Sequence, residues 1–222
     1  MKIQRISLAI LFLACSGLAQ ERFVKPSDDA AKDPSFLAFR TKLIAAAEMH
    51  DSAFILRILD PKIELSFGGD KGVKDFIRIW KINSRNSPFW PEFLAVIKNG
   101  GSFDNPDKVA NLFVAPYLFS SWPDDLDLFE YHAIFGNNVN LRKQPRRDAE
   151  VVAQLSYNVV QIEPETVSKS GKSGYPEWWE VKTLGGLKGY VKREYVRGPI
   201  DYRAGFEKKR GQWKMTFFLA GD

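Results

Sequence analysis

Residues able to move a proton or attack a bond are few in this chain of 222 residues. It has two histidines, His50 and His132, and one cysteine, Cys15. A catalytic triad would have to use one of those histidines. No serine stands in the strained strand-to-helix turn that exposes a nucleophile. His50 and Asp51 lie near Asp60 and Glu64, a set with the right chemistry for acid–base work or metal binding. The spacing matches no ligand signature, and Asp51 reads more simply as a helix cap. Asp124, Asp125, Asp127 and Glu130 form a second acidic set. It lacks the glycine and the alternate-residue spacing of a calcium loop, so a capped turn is expected. Gly68-Gly69-Asp70-Lys71-Gly72 lacks dinucleotide-loop spacing and reads as a strand-to-helix turn. Ser170-Gly171-Lys172-Ser173 contains a Gly-Lys-Ser, but Thr166 stands where a phosphate loop needs glycine. No catalytic residue, metal or cofactor is therefore expected. The enzyme alternative is a carboxylate/His site in the first half, using His50 or carboxylates such as Asp60 and Asp70.

These residues need elements to position them. Asp33-Pro34 reads as a helix start, and Phe36, Phe39, Leu43, Ile44 and Ala47 recur at helical spacing. Asp51 caps a second helix carrying Phe54, Ile55, Ile58 and Leu59, and Pro61 stops it. Residues 62–67 alternate like a strand, residues 73–82 return to helical spacing, and residues 93–97 form a short helix. Residues 103–122 are apolar and broken by Pro106 and Pro116, which predicts irregular packing with short helices. Residues 20–33 are polar and aperiodic and read as a linker.

From Tyr131 the period changes to that of strands. Val139 and Leu141 alternate, as do Val151, Ala153 and Leu155. Val160 and Ile162 follow a tight turn in which Asn158 supplies the positive φ. Trp178-Trp179-Glu180-Val181 and Gly189-Tyr190-Val191 flank a Gly185-Gly186 hairpin turn. Short strands at this spacing suit a small barrel. Alternation puts Trp179 and Val181 inward and Trp178 outward. Trp178, with Tyr157, Tyr175 and Tyr190, is the candidate ligand-binding shelf; packing of Trp178 on the other half of the protein is the competing reading.

Val139-Asn140-Leu141-Arg142-x-x-Pro145, Trp179-x-Val181 and Gly186-x-x-Gly189-Tyr190-Val191-x-x-x-Tyr195-Val196 together resemble the bacterial SH3-like (SH3b) family. The resemblance implies an exported module that binds cell-wall or other envelope ligands beside a second domain. Peptidoglycan or an envelope protein is the implied partner.

Beyond the barrel, residues 201–207 and 213–219 alternate around a turn and form a hairpin. A hairpin is marginal alone, so it should pair with the strand near Ile63, with Phe217 against the first helices. The expected fold is α+β. A helix-rich N-terminal domain (34–130) is completed by a C-terminal β-hairpin (199–222), with an SH3-like β-barrel (131–198) between them.

The first 19 residues place the whole. Lys2 and Arg5 precede a short apolar run, too short to span a bilayer, and Gly17-Leu18-Ala19 offers a cleavage site. A signal peptide cut after Ala19 sends the protein to the periplasm or outside. Phe12-Leu13-Ala14-Cys15 also resembles a lipoprotein box, which would leave the chain lipid-anchored at Cys15. The formal charge is +5. Lys2 and Arg5 belong to the leader, leaving +3. Charges of both signs are interspersed and no nucleic-acid motif is present, so a solvated surface is expected rather than a nucleic-acid partner. Three functions remain: a non-catalytic envelope binding protein, an envelope enzyme, and an assembly protein using an exposed aromatic patch.

Overall fold

The computed structural model describes residues 20–103, 111–163 and 176–221. The leader with Cys15, residues 170–173 and Tyr175 lie outside the described residues. Among these, the chain is mixed α and β, with five α-helices and two sheets. The helices are α1 (Pro34–Glu48), α2 (Ser52–Ile58), α3 (Gly72–Trp80), α4 (Phe89–Ile97) and α5 (Tyr117–Ser120). The Asp33 carboxylate accepts from the Ser35 and Phe36 amides at 2.7 and 3.2 Å, and Asp51 accepts from the Phe54 amide at 2.9 Å. Each cap satisfies amides that the first helical turn leaves without partners.

The first sheet has the order β1 (Leu59–Glu64), β11 (Gln212–Leu219), β10 (Arg203–Lys209), β2 (Leu112–Ala115). β1 runs parallel to β11; the other pairs are antiparallel. Two boundaries depart from the sequence expectation. β1 begins at Leu59 and runs through Pro61, which an edge strand tolerates because one side needs no amide donor. β2 falls where irregular packing was expected. All four of its residues are buried, so it shows no alternation to read.

The hairpin reveals a third departure. Gly205 pairs with Phe217 and Phe206 with Met215, so Thr216 is an extra residue in β11. The bulge shifts the inward face from Trp213 and Met215 to Phe218. Phe218, rather than Phe217, therefore meets the helices, with its ring 5.4 Å from Phe93 and 5.1 Å from Trp80. Phe217 lies across Gly205, where a Cβ would sit 2.2 Å from its ring. In the same core, Phe36 contacts Phe113 and Trp213 at 4.2 and 4.8 Å.

The second sheet has seven strands: β3 (His132–Ile134), β4 (Val139–Arg142), β5 (Val151–Leu155), β6 (Val159–Ile162), β7 (Trp178–Thr183), β8 (Lys188–Lys192) and β9 (Val196–Arg197). Their order is β5-β4-β8-β7-β6-β3-β9, and every pair is antiparallel. Ile134, Val139, Leu141, Leu155, Val160, Val181, Val191 and Val196 make one core. Each of the seven strands contributes to that core, so the sheet curls round it. In the β5–β6 turn the positive φ falls on Tyr157 (61°), not on Asn158. Asn158 is instead buried, and its side-chain oxygen accepts from the Ser156 amide at 2.8 Å.

The segment expected as a linker is a strap. The Val24 amide donates to the Tyr157 carbonyl and the Val159 amide to the Arg22 carbonyl, at 2.9 and 2.8 Å. The Glu21 carboxylate accepts from Thr183 Oγ1 at 2.5 Å and Asn158 Nδ2 at 3.1 Å. Further on, Asp28 pairs with Arg40 of α1, and Asp29 accepts from Ser102 at 2.6 Å. The polar composition hid this role because the strap binds through its backbone and carboxylates. Val24 goes deep, into a cluster with Tyr117, Leu118, Trp122, Ala133 and Val159, and Ala30 is buried in the core of the first half. Glu21→Ala would strand two buried polar groups on the SH3-like unit. It should lower unfolding stability by about 2–3 kcal/mol in a urea melt, whereas a linker residue would change it by a few tenths.

Candidate functional site

Of the four residues read as a shelf, the three that are described do not form a common concave site. Trp178 is half-buried on the outer face of β7, opposite Lys192. It shares that face with Glu180 and Tyr190, whose hydroxyl donates to the Glu180 carboxylate at 3.0 Å. Tyr157 is elsewhere. The β6–β7 register sets Val160 against Thr183. Trp178 lies five positions from there, roughly 17 Å along the strand, and Tyr157 lies beyond the opposite end. Burial, then the electrostatic effect of Tyr157, push the Tyr117 phenol up. Tyr175 lies outside the described residues.

The carboxylates and histidine of the first half do not converge either. His50 stacks on Trp90 with centroids 4.8 Å apart. Asp60 is held by Lys209 at 2.8 Å. Burial pushes its carboxyl up, but Lys209 and the Lys62 amide bring it below the usual range. Asp70 pairs with Arg78 at 2.7 Å. These contacts serve structure: each group is spent on its own neighbour. Asp127 caps the Phe129 and Glu130 amides at 2.7 and 2.9 Å. Among the described residues no cluster of three or more His, Cys, Asp or Glu could hold a metal ion.

The concave site is a cleft of about 1460 Å³ between the second sheet and α4. From the sheet come His132, Phe135, Gln161 and Trp179, with Arg193 and Glu194 from the short turn before β9. Pro88, Pro91 and Glu92 of the opposite wall begin or precede α4, while Phe129 and Glu130 close one side. Asp201 and Tyr202, where the chain leaves the sheet, complete it. Trp179 packs on the edge of the sheet's core and turns its ring toward His132, centroids 6.2 Å apart. The Arg193 guanidinium lies 5.8 Å from the Trp179 ring.

Arg197 joins the walls. Its Nη2 donates to Glu92 Oε1 and to the Tyr202 carbonyl, both at 2.7 Å, and its guanidinium lies 5.6 Å from the Phe135 ring. Only 11% of its side chain is exposed. Trp179 Nε1, Arg197 Nε and His132 Nδ1 are buried nitrogens without a hydrogen-bond partner, and all three residues line this cleft. Buried polar groups are normally paired, so three such atoms on one wall mark it as a place where the protein's own chemistry is incomplete.

Strand alternation puts Trp179 inward and carries no sign of the cleft. The cleft draws on positions from Glu92 to Tyr202, and no local spacing announces such a set. The nearest signal is Arg197, directly after Tyr195-Val196.

Residues 137–197 match the family model described as bacterial SH3 domain. The chain is thus a bacterial SH3 domain-containing protein, with that domain covering β4 to β9. No curated protein and no solved structure matches the chain.

Burial pushes the His132 imidazole down, and Asp201 only partly restores it. A histidine kept neutral in the fold takes up its proton more readily when unfolded. Below about pH 6.5 the unfolded state therefore binds more protons and stability falls with pH. Thermal melts between pH 7 and pH 5 should show this loss. His132→Gln should flatten that part of the profile, leaving the carboxylate-driven loss at lower pH.

Proposed function

We propose that the protein is an exported, non-catalytic binding protein of the cell envelope. Its SH3 domain, curled as a small barrel, presents one wall of the cleft to a cell-wall peptide or glycan. The leader directs it to the periplasm or outside, cut after Ala19, with acylation at Cys15 as the alternative. Export is read from the basic start and short apolar run of residues 1–19. Among the described residues no helix is long and apolar enough to cross a membrane.

The observation that carries the binding reading is the junction itself. A matched bacterial SH3 domain contributes Trp179 and Arg193, with His132 of the adjoining strand β3, to a cleft whose opposite wall is another part of the chain. Aromatic faces with a few polar groups suit a ligand that is partly apolar and richly hydrogen-bonded. Nucleophiles are not assembled there, and the carboxylates of the first half are engaged in structural pairs.

Co-sedimentation with purified cell-wall sacculi tests this. Wild type and Trp178→Ala should both pellet, because Trp178 is outside the cleft. Trp179→Leu, checked by its melting temperature, should pellet about tenfold less, as loss of a central aromatic anchor does. Loss with Trp178→Ala but not Trp179→Leu would move the site to the outer face of β7. Failure of wild type to pellet would remove the cell wall as ligand.

A further inference from the structure

We infer that the outer face of α3 is a second interaction surface, and that its partner is an anionic lipid bilayer. The inference uses neither the cleft nor the cell wall. α3 buries Phe76 and Trp80 in the core of the first half, with Val73 and Ile79 packed beside them. Helical spacing then sets Lys71, Lys74, Arg78 and Lys81, the two caps included, in a row on the opposite side. All four are exposed, and so is Ile77 at the border of the row.

The row is not neutralised. Arg78 is held by Asp70 and Asp75 at 2.7 and 3.0 Å. Lys71, Lys74 and Lys81 have no ion pair among the described residues, nor do Lys62 and Arg85, before and after them in the chain. From Lys62 to Arg85, six cations stand against three carboxylates, Glu64, Asp70 and Asp75. That surplus equals all the charge left once Lys2 and Arg5 of the leader are set aside, so the rest of the chain is neutral overall. The net positive charge of the protein is thus gathered around α3.

An exposed aromatic ring is the second, independent feature. Phe67 is 60% exposed at the tip of the turn that leads into α3. The base of that turn is fixed: the Leu65 amide donates to the Asp70 carbonyl at 3.0 Å, and the Asp70 carboxylate holds Arg78 in the middle of the row. The Arg203 guanidinium lies 5.8 Å from the Phe67 ring, which supports one side and leaves the rest to water. A bilayer with anionic headgroups meets both features. It offers charge to the lysines and, just below, an apolar boundary to Phe67 and Ile77. A soluble polyanion offers only the charge.

The test is flotation of the mature chain, Gln20 to Asp222, with vesicles of equal parts phosphatidylglycerol and phosphatidylcholine, and with vesicles of phosphatidylcholine alone. At low salt the anionic vesicles should carry at least about tenfold more protein, and added salt should release it. Lys74→Gln/Lys81→Gln should bind the anionic vesicles about tenfold more weakly, and Phe67→Ser about threefold more weakly. Thermal melts check that these exposed changes leave the fold intact. Lys25→Gln/Lys182→Gln removes the same charge from exposed positions on the strap and the second sheet, and should bind as wild type does. Equal losses in the two double variants would overturn the face, because net charge alone would then explain adhesion. Equal binding to both kinds of vesicle, or binding to soluble polyglutamate as tight as to anionic vesicles, would overturn the bilayer as partner. Each of these failures leaves the cleft reading standing.

Discussion

The arrangement depends on one buried guanidinium. Arg197 ends the last strand of the SH3 domain and reaches across to Glu92 on α4, while its second bond goes to the Tyr202 carbonyl beyond the Gly198-Pro199 exit. Two segments distant in sequence, the start of α4 and the stretch from Arg197 to Tyr202, are thereby fixed at one point. A charge taken so far out of water is tolerable only with its carboxylate and acceptors in place. That requirement sets how closely α4 and the second sheet can approach, and hence that an open cleft remains between them. The ring of Phe135 under the guanidinium replaces part of the lost solvation.

A second constraint comes from the strap. It adds backbone hydrogen bonds at the β5–β6 turn and then continues to α1, so the two sheets are tied along one side by Glu21, Arg22, Val24 and Asp28. Arg22 also forks onto Asp125 at 2.8 and 2.9 Å. The strap and the Arg197 pair divide the work. The strap, with the Tyr117–Trp122 cluster beneath it, closes one side of the junction dry, and the Arg197 side stays open and polar. A cleft with one fixed and one open edge is what such a division leaves.

Much of this was legible in the sequence where one face of an element is buried. The caps at Asp33 and Asp51, the helix of Phe36 and Leu43, and the alternation of Trp179 and Val181 follow from period and local chemistry. The SH3 domain was legible because its strands carry alternating residues and a fixed glycine: Gly189 sits where a Cβ would come within 2.7 Å of the Arg142 carbonyl. Other features were not legible, each for a physical reason. β2 is buried all round and has no period. The bulge at Thr216 reverses alternation in mid-strand, so Phe217 and Phe218 exchange faces. The strap is polar because its partners are backbone and carboxylate groups. The site is assembled from Glu92, Glu130, Trp179, Arg197 and Asp201, whose proximity is a property of the packing of two units and leaves no spacing to read. Trp178 and Tyr190 did share a face, as alternation required, but sharing a face of a strand does not make a concavity.

Binding in the cleft would perturb the indole of Trp179, and binding on the outer face of the sheet that of Trp178. The six tryptophan indoles of the chain make this directly observable in a ¹⁵N–¹H spectrum titrated with soluble cell-wall peptide. The Trp179 indole resonance should shift furthest, with Trp178 left nearly in place. A titration that shifts the Trp178 indole and leaves Trp179 unmoved would contradict the account.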